Sequence, residues 1–120
     1  MTTSTRDTVH EYFRRLSEGL DWQDMLSEDL AFASPTVTSS GRDSYIESTA
    51  RFFANVRAVE TRETLVDGDK ACVLTRYGLE SPAGKTMQCE VAEVFSVRAG
   101  KIASLSIFFD TAPFARFNAG

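Results

Sequence analysis

The chain holds one histidine, two cysteines and three prolines, and nowhere a glycine-rich phosphate loop or an apolar run near the length of a membrane span. Each shortage excludes something. His10 stands among Asp7, Glu11 and Arg14 at helical spacing and reads as a surface residue. One histidine, with no nearby Cys/Asp/Glu cluster, gives no basis for a transition-metal site. It supplies a Ser-His-Asp or Cys-His arrangement equally poorly. The seven glycines punctuate turns, so no phosphate-binding cofactor is expected, and we expect no cofactor at all. Membrane spanning needs about 20 apolar residues in succession. The 13 Lys and Arg are scattered and outnumbered by 17 Asp and Glu, for a net charge of -4, which leaves no footprint for nucleic acid. Cys72 and Cys89 fall on neighbouring predicted strands, where a disulfide is sterically conceivable. The polar stretch Met1 to Asp7 has no signal-peptide core, so two reduced thiols and a cytoplasmic location are expected.

What is present fits one domain, 1–120, with 42% hydrophobic and 25% charged residues. Nine of the thirteen aromatics are Phe, which adds apolar volume without a polar handle and suits a thick core or an apolar pocket. Val9, Tyr12, Phe13, Leu16 and Leu20 recur at helical spacing, predicting a helix from Thr8 to Gly19 capped by Thr5 or Asp7. A short helix fits Trp22 to Leu26 behind Asp21, and a short strand around Leu30 to Ala33 ends at Pro35. Asp43 then starts a third helix with Tyr45, Ile46, Thr49, Phe52, Phe53 and Val56 on one side. From Arg57 the period changes to two. Four strands follow, at 57–67, 70–80, 86–98 and 101–110, with turns at Asp67-Gly68-Asp69, Ser81 to Gly84 and Ala99-Gly100. Helices first and strands last make an α+β domain whose antiparallel meander buries one face under the helices.

The informative anomaly is in the third of those strands. Met87, Cys89, Val91, Glu93, Phe95 and Val97 share one face, and only Glu93 is polar. A lone carboxylate on an apolar face must be hydrogen-bonded, paired, protonated or open to a cavity. Glu93 is therefore either a pocket acid or a structural carboxylate satisfied by Tyr, Arg or backbone donors. Tyr12 and Tyr45 are pocket donors or core residues. Arg76 and Tyr77 take opposite faces of one strand, Arg76 outward. Asp110 reads as a turn cap. On the other face of the meander, Ala92, Val94 and Phe108 among serines form a partly apolar patch suited to a homodimer.

Phe32-Ala33-Ser34-Pro35, Gly41-Arg42-Asp43, Glu93-Val94-Phe95, Gly100-Lys101-Ile102 and Phe109-Asp110, in that order behind an N-terminal helix, resemble the nuclear transport factor 2-like superfamily, in particular its SnoaL-like branch. The resemblance implies a cone, in which a curved antiparallel sheet wraps the N-terminal helices around an apolar pocket, and a dimer through the outer sheet face. It places Glu93 where the ketosteroid isomerases carry a hydrogen-bond-donating carboxylic acid, and Tyr12 near their oxyanion tyrosine, with Phe13 one residue on. Ser34 matches the isomerases' general base, a role serine cannot fill at neutral pH. Val91 replaces the arginine of the epoxide hydrolases, and Ile107 the aspartate of the polyketide cyclases. The expected catalytic pair is Glu93 and Tyr12. The expected ligand-binding residues are Phe13, Trp22, Phe32, Ser34, Phe53 and Tyr77 from the first two-thirds, then Val91, Leu105, Ile107 and Phe109. The implied function is an isomerase, cyclase or dehydratase acting on a small hydrophobic oxygenated substrate. A binding protein for an apolar small molecule and a dimeric interaction module are the alternatives.

Overall fold

A computed structural model describes residues 4–119. Helix α1, Thr5–Glu18, is capped by Ser4, whose hydroxyl accepts the Asp7 N–H at 3.0 Å, so the cap falls one residue before the expected Thr5. Gly19 ends it in the left-handed region (φ 71°), returning its N–H to the Arg15 carbonyl. The expected second helix is a single 3₁₀ turn, Gln23–Met25, held by the Asp21 carboxylate on the Gln23 and Asp24 N–H groups. Strand β1, Leu26–Ala33, and the short β2, Thr38–Ser40, precede α2, Arg42–Asn55. Gly41, not Asp43, is the N-cap of α2, and Asp43 lies in its first turn.

The meander follows as β3, Val56–Asp67, β4, Lys70–Glu80, β5, Thr86–Arg98, and β6, Lys101–Phe108. These strands match the sequence expectation within two residues at every end. Arg98 and Lys101 pair across the two-residue turn Ala99-Gly100, both with positive φ (52° and 74°). Only Gly adopts that backbone without cost, so Ala99 carries mild strain. Two elements were missed. β2 sits in a Ser/Thr-rich stretch without apolar alternation, and α3, Thr111–Ala119, begins immediately behind the last strand. Asp110 accepts the Ala112 N–H at 3.1 Å as the turn cap it was expected to be.

The six strands form one curved, unclosed sheet in the order β2-β1-β6-β5-β4-β3. Its meander is antiparallel, but β1 pairs with β6 in parallel, so the sheet is mixed and the all-antiparallel expectation is corrected. The reason is topological. The chain crosses through α2 and four strands before β6 returns beside β1, and that long excursion permits either direction. α1 packs across β3 to β6, and α2 packs on β1 and β2. Tyr12, Phe13, Leu30, Phe95, Ile102 and Leu105 form the dry centre of the core. No helix among the described residues is long and apolar enough to cross a membrane.

Candidate functional site

The inward parity of β4 and β5 builds the site. Ala71, Val73, Thr75, Tyr77 and Leu79 on β4 are buried, as are Cys89, Val91, Glu93, Phe95 and Val97 on β5. Glu93 faces Val73 directly across the ladder, which places Thr75 one inward position along and Tyr77 two. The Thr75 hydroxyl and the Tyr77 phenol both donate to Glu93 Oε2, each at 2.7 Å. Thr75 also approaches the Val91 carbonyl at 3.2 Å. No cation among the described residues joins them. Arg76 lies on the opposite face of β4, bound to Glu90.

Glu93 is 4% exposed. Burial raises its pKa from 4.5 to about 7, against the two hydroxyl hydrogen bonds, which favour the ionised form. Burial likewise pushes the Tyr12, Tyr45 and Tyr77 phenols above their usual range, and the Cys89 thiol to about 11. With Oε2 occupied, Oε1 is the oxygen Glu93 offers to the space in front of it.

That space is a cavity of about 240 Å³ between the inner sheet face, α2 and α3. Glu93, Tyr77, Val91 and Cys89 line its deep wall. Phe32, Phe53, Ile107 and Phe109 line its sides, and Ser34 lies near the exposed Thr36 and Val37. Eight expected site residues thus converge on one cavity. Four do not. Tyr12, Phe13 and Leu105 are sealed in the core beneath α1, and Trp22 packs against Phe53 with ring centroids 4.9 Å apart. The Tyr12 hydroxyl has no hydrogen-bond partner among the described residues and is not among the groups lining the cavity. The cause is geometric: α1 presents its apolar face to Phe95, at 5.7 Å from Tyr12, rather than to Glu93.

The Ser34 hydroxyl is committed to its own turn. It accepts the Val37 N–H at 2.9 Å and lies 3.1 Å from the Val37 carbonyl. Sequence reasoning missed Thr75, Asn55, Phe114 and Phe117. Thr75 was legible from strand parity, whereas the two phenylalanines depend on the unforeseen α3, which covers one end of the cavity. The thiols of Cys72 and Cys89 are free and lie on opposite faces of their strands, which rules out a bond between them. No group of three or more His, Cys, Asp or Glu side chains suited to a metal occurs among the described residues.

The fold recurs in solved structures. A protein from Jannaschia sp. CCS1 described as a SnoaL-like polyketide cyclase superposes with a TM-score of 0.81 at 18% identity, covering 95% of this chain and 90% of that one. TerC, co-crystallised with polyporic acid, gives 0.84 at 16% identity, covering 98% and 100%. A de novo designed protein with a curved β-sheet gives 0.70 at 26% identity, covering 96% and 92%. No protein of curated function matches the chain significantly. The SnoaL-like domain model matches residues 9–105, and the chain belongs to that family.

Proposed function

We propose that the protein binds a small hydrophobic oxygenated molecule in this cavity and uses Glu93 as the acid that donates to the molecule's oxygen. The observation that carries the reading is a buried carboxyl group held by two neutral hydroxyls, with no cationic partner among the described residues. Such a group holds its proton up to about pH 7, well above the range where an ordinary carboxylate has lost it. Its Oε1–H donates into the cavity while Oε2 accepts from Thr75 and Tyr77. Donation strengthens as negative charge builds on a substrate carbonyl or leaving hydroxyl, which is the demand made by isomerisation, cyclisation and dehydration. The polyketide-cyclase description of the Jannaschia protein and the co-crystallisation of TerC with polyporic acid fit a small-molecule ligand.

A binding protein without turnover is the second reading, and specific observations favour it. Ser34 is tied up in its turn, and the phenols of Tyr45 and Tyr77 are pushed away from ionisation, so none of the three serves as a base at neutral pH. Glu93→Gln separates the two readings. The amide keeps size and hydrogen bonding but does not titrate, so ligand binding persists. In an enzyme, turnover of a hydrophobic ketone or hydroxy-ketone substrate falls roughly 10²–10⁴-fold. Unchanged turnover removes Glu93 from the acid role.

The outer sheet face supports a homodimer as part of this proposal. Phe108 is 58% exposed there beside Ala92 and Val94, and Leu74 adds to the same apolar surface.

A further inference from the structure

The acid of the cavity stands on the sheet, but another polar group faces it from α2. Ser48, Arg51 and Asn55 all line the cavity at spacings of three and four residues, so they share one face of the helix. The Ser48 hydroxyl is spent on the Tyr45 carbonyl at 3.1 Å. Asn55 and Arg51 are not spent. Asn55 is only 9% exposed, and its carboxamide makes no hydrogen bond among the described residues. Its carboxamide is not one of the sealed, unpaired groups of the interior, so it is open toward the cavity and available to what enters it. One turn outward, Arg51 is exposed and takes part in no ion pair among the described residues.

A cation at the C-terminal end of a helix can serve simply to balance the negative end of the dipole. The last turn of α2 holds no basic residue, and Arg57, two residues beyond it, is placed for that role. Its guanidinium donates to the Ala54 carbonyl at 2.9 Å and the Val56 carbonyl at 3.2 Å. Arg51 is left as the basic group at the mouth, in a chain whose net charge is -4.

We propose that the ligand is an amphiphilic acid, with an apolar body between the phenylalanines, an oxygen at Glu93, and a carboxylate held by Asn55 and Arg51. This inference rests on the reading that the cavity takes a hydrophobic small molecule. Arg51 supplies a charge-assisted donor, and Asn55 supplies an N–H donor where water is excluded. The cavity is thereby polarised, donors from α2 on one side and the carboxylic acid from β5 on the other.

The test uses 2-naphthoate and its uncharged methyl ester as probes, titrated at pH 6 against the full chain by calorimetry. The wild type is expected to bind the acid roughly tenfold more tightly than the ester. Arg51→Gln and Asn55→Leu should each lower affinity for the acid about fivefold to tenfold and leave the ester unchanged. Arg51→Lys should restore most of the first loss. Arg51 is exposed, so its variants test the point even if Asn55→Leu folds poorly. Equal binding of acid and ester by the wild type, or an unaltered preference in Arg51→Gln, overturns this inference while leaving the pocket reading intact. If neither probe binds, the pocket reading falls and the inference with it.

Discussion

Glu90 and Glu93 are three residues apart on one strand, and their chemistry is opposite. Glu90 points outward to Arg76 and Arg62, with N–O distances of 2.9 and 3.0 Å. The Arg76 hydrogen bond, chiefly, lowers its pKa below the ordinary carboxylate value. Glu93 points inward to a threonine and a tyrosine, and burial raises its pKa to about 7. Residue type is the same in both. Strand parity assigns one carboxylate to cations at a wet surface and the other to neutral donors in a dry wall. A register slip of a single residue would exchange the two environments.

The largest expected effect is on the inner carboxylate. A folded-state pKa near 7 against an unfolded value of 4.5 means that the native state binds the extra proton between those limits. Stability from Glu93 is therefore fully present below about pH 4.5 and lost as pH rises through about 7, by about 3 kcal/mol in all. Chemical denaturation from pH 4.5 to 8 should show that decline in the wild type and a flat profile in Glu93→Gln. The window belongs to this residue, because Glu11, Asp29 and Glu90 have lowered pKa values and act at lower pH. A wild-type profile that stays flat across the same range would mean that Glu93 is ionised in the fold, and the contrast between the two faces would be gone.

The second effect concerns what covers the outer face. If two copies pair through it, each buries a Phe108 that is 58% exposed in the single chain. Completing that burial contributes about 1 kcal/mol per copy, hence about 2 kcal/mol in a two-fold dimer. Phe108→Ser should then weaken self-association roughly 30-fold in sedimentation equilibrium. The inner cavity should be untouched, since Phe108 points away from its neighbours Ile107 and Phe109. A wild type that sediments only as the 13.3 kDa species removes the dimer and leaves the patch as plain surface.

Much of this contrast was legible in the sequence, because a strand written in alternation tells which side chains share a face. The four meander strands, the inward Glu93 and the outward Arg76 follow from period two alone. So does the grouping of Val91, Ile107 and Phe109 with Glu93. Helix residues were harder. Tyr12 and Tyr45 lie on similar apolar stripes, yet only Tyr45 reaches the cavity, because the tilt of each helix against a curved sheet is not written in its own residues. β2 has no hydrophobic pattern to read, and its pairing with β1 is set by backbone hydrogen bonds. α3 was hidden by the Thr-Ala-Pro start that reads equally as a turn. Asn55 escaped notice for a related reason. A polar residue near a helix end looks like an ordinary terminus until the cavity beside it is seen.

The smallest effect falls on Glu90, and its sign separates the two carboxylates most clearly. Arg76 and Arg62 hold Glu90 ionised, so whatever stability it contributes is present above its unfolded pKa and lost as pH falls through the lowered folded value. That is the reverse of Glu93. The group is solvent-exposed, and ions between exposed partners are screened by water and salt. Glu90→Gln should therefore shift the denaturation midpoint at pH 7 by far less than Glu93→Gln does, and less still in 1 M salt. The residual shift should fade as pH is lowered below the ordinary carboxylate range, where the wild-type group also becomes neutral. Denaturation curves for the two variants, collected over the same pH series at low and high salt, check the point. If Glu90→Gln shifted the midpoint as far as Glu93→Gln and proved insensitive to salt, the outer ion pairs would be as shielded as the inner wall. Strand parity would then no longer explain why one carboxylate is acidic and the other holds its proton.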